Sequence, residues 1–393
     1  MKTLNRIKVA FIHLYGEMGG NEIVTLHLVR ELDKKRFEPV VILNSDGPFA
    51  GELRKVGVRV DILQFRTLIL KQLVYPFNLF RAAADARKLE AYFEHDPPHI
   101  VQCSDVLALL LVLRSIRRWN IPIIYGLVFV YEWLRLMMFS LLAMSHVKAI
   151  VVNAGSVERD LRRRAILTGQ RVVRVYPGHD KPTAATLDAH NSFRLHAELG
   201  VPRETKLIGI IGRIDPMKGQ LLFLRAARQI ARRRSDAVFL VIGSPMNAGV
   251  IPGVSAYYDR LLHYQQESGL DRSVRFLGRR DDMDQILQSL DVFVSASVNE
   301  GFGMALVEAY LAGLPVVTGP HAGALEVLNS GEGVFIADPG DTDSLASGIE
   351  NALVYSSDPD LKSRLRKRRT VRSGDWKQYA GSFELLYTEL AAA

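Results

Sequence analysis

The sequence predicts an α/β protein of two doubly wound, parallel-sheet halves, and three observations carry that prediction. The chain has 393 residues, more than one ordinary hydrophobic core organises. Short apolar runs alternate with helical segments, a pattern that implies parallel sheets covered on both faces. The alternation stops once, in the polar stretch from Pro177 to Asn191, and then restarts. With 48% hydrophobic residues, disorder is excluded as the general state of the chain.

Taken in order, the first half places strands at 8–14, 37–43, 58–63, 99–103, 122–129, 148–152 and 172–176. Helices are expected at 21–34, 69–93, 105–118, 132–145 and 156–166. The second half places strands at 206–212, 238–243, 274–278, 292–297, 315–318 and 334–336, with helices between them. Pro177-Gly-His-Asp-Lys-Pro182 reads as a hinge. The last segment carries Trp376, Tyr379, Phe383, Leu386 and Tyr387 at close to helical spacing. The expected domains are therefore 1–185 and 186–375, followed by a helical segment, 376–393.

Composition narrows the function classes. Lys2, Arg6 and Lys8 precede an apolar run, Val9 to Tyr15, but that run contains His13 and leads into a glycine-rich turn. It reads as the first strand and not as a secretory signal, so a cytoplasmic protein is expected. The single cysteine, Cys103, fits a reducing compartment and a buried thiol. Pro122 to Met144 is nearly all apolar, yet Glu132 and Arg135 lie near its centre. Each would cost about 2.5–3.5 kcal/mol at a bilayer midplane, which argues against a spanning helix. Core packing is the expectation there, with a helix at a membrane interface or lining a lipid-acceptor groove as the alternative.

The charge is uneven. Residues 1–185 hold 27 Lys and Arg against 17 Asp and Glu, whereas 186–393 hold 23 against 25. The excess lies in Arg114, Arg117, Arg118, Arg159, Arg162, Arg163, Arg164, Arg171 and Arg174. These side chains form either solvated helix faces or a surface for an anionic partner, such as a membrane or a phosphorylated lipid acceptor. No nucleic-acid motif accompanies them, and no aromatic residues are interleaved.

The most specific signal is Glu300-Gly-Phe-Gly-Met-Ala-Leu-Val-Glu308, between an apolar strand and a helix closed by Gly313 and Pro315. One carboxylate lies on a strand-to-helix turn and the other on the helix, so both can face a cleft at the carboxyl end of a sheet. Carboxylates accept hydrogen bonds, and sugars and riboses offer vicinal hydroxyl donors. A second signal is Arg213-Ile-Asp-Pro-Met-Lys218-Gly219, after the strand ending at Gly212 and before a helix from Gln220. Arg213 at a strand end and Lys218 near a helix amino terminus suit a diphosphate. The third is Gly16-Glu-Met-Gly19-Gly20, where backbone N–H groups can approach a phosphate or sugar, or simply close a tight turn. Its glycine order, and the position of Asp46, do not fit a dinucleotide fold.

Together these residues resemble the retaining glycosyltransferases of family 4, with the GT-B architecture of two Rossmann-like domains facing a central cleft. That superfamily includes glycogen-synthase-like and phosphatidylinositol-mannosyltransferase-like enzymes. The resemblance runs from Gly19-Gly20 to Trp376. It implies that Gly19 and Gly20 border the donor sugar and pyrophosphate, while Arg213 and Lys218 bind the diphosphate. It implies that Glu300 holds donor-sugar hydroxyls, that backbone N–H groups near Phe302, Gly303 and Met304 aid the sugar or the phosphate, and that Glu308 accepts from the ribose. Gly243 and Arg280 match loops around the base, and Trp376 matches an aromatic of a terminal helix that crosses back to the first domain.

The implied activity is transfer of a glycosyl group from a nucleotide-sugar, UDP- or GDP-linked, to an acceptor hydroxyl with retention of anomeric configuration. The implied setting is glycan, glycolipid or glycosylated-metabolite synthesis. No cofactor or metal is expected, since the two cations and a helix terminus can stabilise the leaving diphosphate. A nucleophilic carboxylate would be needed for double displacement, and front-face attack by the acceptor is expected instead. The family often has a histidine after the fifth strand of the first domain, whereas this chain reads Ile123-Ile-Tyr125-Gly-Leu-Val128-Phe-Val-Tyr131-Glu132. Tyr125, Tyr131, Glu132 or His13 could take that place, and Tyr176-Pro-Gly-His179-Asp180 stands at the hinge. The alternatives are a nucleotide-sugar-binding protein without transfer, and a nucleotide-sugar epimerase.

Overall fold

The computed structural model describes residues 6–65, 76–116, 119–127, 146–164, 170–180, 194–245, 254–297, 300–320, 323–358 and 360–392. The helix expected at 132–145, with Tyr131, Glu132 and Arg135, lies outside those residues, as do Arg117, Arg118 and residues 181–193. Contacts divide the chain into two units. Met1–Gly178 joins Gly374–Ala393 in the first, and His179–Ser373 forms the second.

In the first unit the strands are β1 (Ile7–His13), β2 (Phe37–Leu43), β3 (Arg59–Ile62), β4 (Ile100–Cys103), β5 (Ile123–Leu127), β6 (Val147–Val152) and β7 (Arg171–Arg174). They pair in parallel in the order β3-β2-β1-β4-β5-β6-β7. Because β1 and β4 are neighbours, with Val9 opposite Ile100, the winding reverses between them. The inner strands are apolar along their length because helices cover both faces of such a sheet. Cys103 ends β4 at 1% exposure, and burial pushes its thiol pKa up, consistent with an inert structural thiol.

Helix α1 (Gly20–Glu31) follows the glycine turn after β1. The terminal helix Trp376–Ala392 packs on α1, β1 and β4 of this same unit. Its Tyr387 hydroxyl donates to Gln102, its ring meets Phe37 edge-on at 5.9 Å, and Trp376 stacks on His27 at 4.0 Å. The apolar spacing seen in the sequence is thus the buried stripe of a helix. Among the described residues of this unit, the helix Pro48–Lys55 was not expected from the sequence. Its signals are Pro48 in the first turn, where the missing N–H costs nothing, and the buried set Phe49, Ala50 and Leu53.

In the second unit the strands are β8 (Lys206–Ile211), β9 (Ala237–Ile242), β10 (Val274–Gly278), β11 (Val292–Ser295), β12 (Val316–Thr318) and β13 (Val334–Ile336). Their parallel order is β10-β9-β8-β11-β12-β13, so the winding reverses between β8 and β11.

Three basic side chains brace this unit from the segment 362–369. Lys362 donates to the carbonyls of Gln288 and Leu290, and Arg366 to that of Ala312 at 2.6 Å. Arg369 donates to the carbonyls of Tyr310 (3.0 Å), Leu314 (2.7 Å) and Glu332, with its guanidinium 4.1 Å from the centre of the Tyr310 ring. These cations meet the carboxyl ends of the helices Met283–Ser289 and Met304–Leu311, where the helix dipole is negative. Burial pushes the Lys362 pKa down to about 8 and that of Arg369 to about 10. Among the described residues, no helix is long and apolar enough to cross a membrane.

Candidate functional site

Open α/β sheets bind ligands beyond the carboxyl ends of strands where the winding reverses. In the second unit that point lies between β8 and β11. Arg213 and Lys218 follow β8, and Glu300 follows β11, so the two strongest sequence signals arise at the same crevice. Backbone hydrogen bonds tie the loop after β8 to the end of β9, and that in turn to the end of β10. Gly212 N–H donates to the Ile242 carbonyl (2.9 Å), Ile214 N–H to that of Ser244 (3.1 Å), and Gly243 N–H to that of Gly278 (2.8 Å). Gly219 has φ 73°, and a Cβ on it would run into the Ala296 carbonyl. Only glycine lets the loop from β8 lie against the end of β11 in this way.

The charged groups meet directly. Lys218 Nζ lies 2.9 and 2.8 Å from the two carboxylate oxygens of Glu300. Ser297 Oγ donates to Glu300 Oε2 at 2.8 Å. Both partners are partly buried, which strengthens the attraction relative to a surface pair. Arg213 is more exposed and pairs with Asp215, Nη2 to Oδ2, at 2.9 Å. Asp215 also caps the short 3-10 turn Pro216–Lys218, accepting from Met217 N–H at 2.9 Å. Gln220, almost fully buried, donates from Nε2 to the Arg213 carbonyl at 2.8 Å.

Asp215, Gln220 and Ser297 were not singled out from the sequence. Asp-Pro before a turn is a helix-start signature that could have marked Asp215. The roles of Gln220 and Ser297 depend on packing across strands that are far apart in sequence.

The helix Met304–Leu311 starts at Gly303, whose φ of 92° lets the chain turn sharply out of the Glu300 loop. Phe302 is buried beneath that turn, and its carbonyl accepts from Ala324 N–H. Leu306, Val307, Ala309, Tyr310 and Leu311 bury one side of the helix, leaving Glu308 on its exposed side. Surrounding protein pushes the Glu308 carboxyl up to about 7, with Asp180 and Asp284 adding like-charge repulsion. Because the side chain also reaches water, solvent screens part of that effect.

This raised pKa has a definite sign in stability. The folded chain holds the Glu308 proton more tightly than an ordinary carboxyl of 4.5. The resulting contribution is complete below that ordinary value and is lost as pH rises through about 7. Glu308→Gln should therefore raise Tm by about 1–2 °C at pH 8 and leave it unchanged near pH 4.5, by calorimetry of the unliganded chain.

The other sequence-derived residues are placed as follows. Gly243 touches the Gly212 backbone at the end of β9. Arg280 is engaged by Glu198 (3.0 Å at Nη2) and by Asp282 (2.8 Å), tying the loop after β10 to the helix Arg194–Leu199. Gly19 and Gly20 lie in the first unit, where the Gly19 carbonyl accepts the Ile23 N–H at the start of α1.

Of the residues considered for the absent family histidine, His13 is buried and lies 3.4 Å from Glu22 and 3.1 Å from Thr25. Tyr125 is buried at 1% exposure, and Tyr131 and Glu132 fall outside the described residues. At the hinge, His179 lies 3.4 Å from Ser373 Oγ.

Two family profiles match in tandem. Glycosyltransferase Family 4 covers residues 18–181, and Glycosyl transferases group 1 covers 191–370. The chain carries one glycosyltransferase domain of each kind.

Its curated relatives include the D-inositol 3-phosphate glycosyltransferase of Corynebacterium jeikeium, 28% identical over 58% of this chain and 52% of that protein. The protein of the same name from Mycolicibacterium vanbaalenii is 30% identical over 49% of this chain and 42% of its own length. The chain therefore spans about half the length of the curated relatives it matches. Among solved structures, Anabaena HepE in complex with UDP has a TM-score of 0.76 at 20% identity, covering 98% of this chain and all of that one. Sucrose-phosphate synthase from Thermosynechococcus elongatus has a TM-score of 0.77 at 18% identity, with 98% and 100% covered. These likenesses agree with the two parallel sheets described above, and the fold is GT-B.

Proposed function

We propose that this glycosyltransferase moves a sugar from a nucleoside-diphosphate donor to an acceptor hydroxyl, with retention at the anomeric carbon. The observation that carries the reading is the convergence of Arg213, Lys218 and Glu300 at the reversal point of the second sheet. Two cations beside an oxygen-rich carboxylate suit a diphosphate joined to a sugar. HepE structures with UDP and with UDP-glucose support a nucleotide-sugar donor, and the names of the curated relatives support a polyol or polyol-phosphate acceptor.

In this reading Arg213 and Lys218 neutralise charge that accumulates on the diphosphate as the glycosidic bond breaks. Their contribution grows toward the transition state, which is what accelerates the step. Glu300 holds donor-sugar hydroxyls, Gly243 lies near the base, and Glu308 accepts from the ribose. Backbone N–H groups near Phe302, Gly303 and Met304 aid the sugar or the phosphate. The acceptor attacks from the face the diphosphate leaves, and no metal is required.

The test is direct. A thermal-shift screen against UDP-, GDP-, ADP- and dTDP-sugars should show stabilisation by one class, about 3–5 °C at saturating donor. Release of the matching nucleoside diphosphate with a polyol acceptor should follow. Tight donor binding without release across a broad acceptor panel would instead favour a binding protein, the reading suggested by the absent histidine near Val128.

For the first unit we propose an anionic contact, either a phosphorylated acceptor or a membrane surface. Several of its arginines are already paired: Arg162 and Arg174 with Glu158, and Arg171 with Glu389. The charge of these three arginines is thus partly met within the unit. Sedimentation with phosphatidylserine vesicles should fall between 50 and 300 mM salt, at about that range's change in screening length, and Arg162→Ala with Arg163→Ala should weaken it. Salt-independent recovery in the supernatant would return these side chains to a solvated face.

A further inference from the structure

Asp215 uses its two oxygens for two different tasks. Oδ2 holds the Arg213 guanidinium at 2.9 Å, and Oδ1 accepts the Met217 N–H at 2.9 Å, shaping the turn that presents Lys218. The Asp215 carbonyl in turn accepts the Lys218 N–H at 2.9 Å. Gln220 closes the brace from beneath. Its Nε2 donates to the Arg213 carbonyl at 2.8 Å, and its Oε1 faces the Asp215 N–H at 3.5 Å. At 1% exposure, Gln220 is held by packing, so the loop it supports has little freedom.

We propose that Asp215, braced by Gln220, is a positioning residue that sets the direction of Arg213 and the reach of Lys218 in the donor site. This rests on the donor reading above and adds a residue to it that touches no substrate. Each cation of the crevice then has its own carboxylate, Asp215 for Arg213 and Glu300 for Lys218. Asp215 has a cost as well as a benefit, since its negative charge opposes the diphosphate already bound in the ground state. It is offset only where an aligned guanidinium matters most, as the bond to the sugar breaks.

That opposition gives a signature that loss of structure does not produce. Asp215→Asn keeps an oxygen for the Met217 N–H but removes the charge and the firm hold on Arg213. We expect kcat to fall about tenfold while UDP, or GDP where the donor screen selects it, binds as tightly as to wild type or more tightly by calorimetry. Gln220→Ala, which leaves the carboxylate in place, should show a smaller fall in kcat at unchanged nucleotide affinity. Asp215→Glu should not restore kcat, because the longer side chain cannot serve both partners at once.

A parallel loss of nucleotide binding and kcat in both Asp215→Asn and Gln220→Ala would reduce the brace to fold maintenance and overturn the proposal. So would unchanged kcat in Asp215→Asn. If Asp215→Asn fails to fold, the Gln220→Ala split decides alone. Absence of turnover by the wild-type chain with every donor and acceptor would instead remove the donor reading on which the proposal stands.

Discussion

Glu300→Gln is expected to lower kcat/KM by about 10²–10³-fold, among the largest losses from any single change of charge in the molecule. In the unliganded site Glu300 receives Lys218 on both oxygens and Ser297 on one. An amide keeps the shape but turns one acceptor into an N–H donor facing the Lys218 ammonium. The partly buried cation loses its counter-charge, and the donor sugar loses a carboxylate acceptor for its hydroxyls. Lys218→Met should reach a similar level.

The double variant should lose less than the two single losses added together. A coupling of about 1–3 kcal/mol in that cycle would show that the pair acts as a unit. Initial rates with the donor selected by the thermal-shift screen provide the measurement, with Tm as the control for folding. Activity of Glu300→Gln within threefold of wild type would remove Glu300 from the site.

Arg369→Met carries the largest expected effect on stability, about 3–5 kcal/mol. Methionine fills much of the volume but donates nothing to the carbonyls of Tyr310, Leu314 and Glu332, which remain in a buried setting. The cation over the Tyr310 ring is lost too. A buried charge is often a poor source of stability, yet removing the donor while its acceptors stay buried is costly. Calorimetry should show the second unit melting about 10 °C lower, with the first unit's transition in place. Arg369→Lys should recover only part, because an ammonium lacks the planar fork that reaches three carbonyls. A change under 2 °C in Arg369→Met would mean that water replaces these bonds.

Most of the architecture was legible because parallel strands buried on both faces leave uninterrupted apolar runs. The strands expected at 37–43, 274–278 and 334–336 appear with those bounds. The helix Pro48–Lys55 escaped because it is short, and its buried set of Phe49, Ala50 and Leu53 is too brief to establish a period. Arg213, Lys218 and Glu300 drew notice because charged residues at strand ends stand out against such runs.

What sequence could not supply was pairing. Lys218 lies against Glu300 across 82 positions, and Arg280 reaches Glu198 across the same separation. The first contact exists because β8 and β11 are neighbours in space, and the second because the loop after β10 lies against the helix Arg194–Leu199. The carbonyl brace by Lys362, Arg366 and Arg369 was hidden for a different reason. Its acceptors are main-chain atoms, which every residue type provides, so residue identities give no hint of where a cation ends.

The terminal helix Trp376–Ala392 belongs by contact to the first unit, although the second unit intervenes in sequence. A ribosome makes a chain in one direction, at about 5–20 residues per second, and units fold as their parts emerge. The first unit is thus begun early and stays unfinished while His179–Ser373 is synthesised. The flank of α1 that Trp376 and its neighbours will cover waits open for that interval. The order of completion inverts the order of synthesis. The second unit, with its crevice of Arg213, Lys218 and Glu300, can close first, and the opening strands of the chain reach their final packing last.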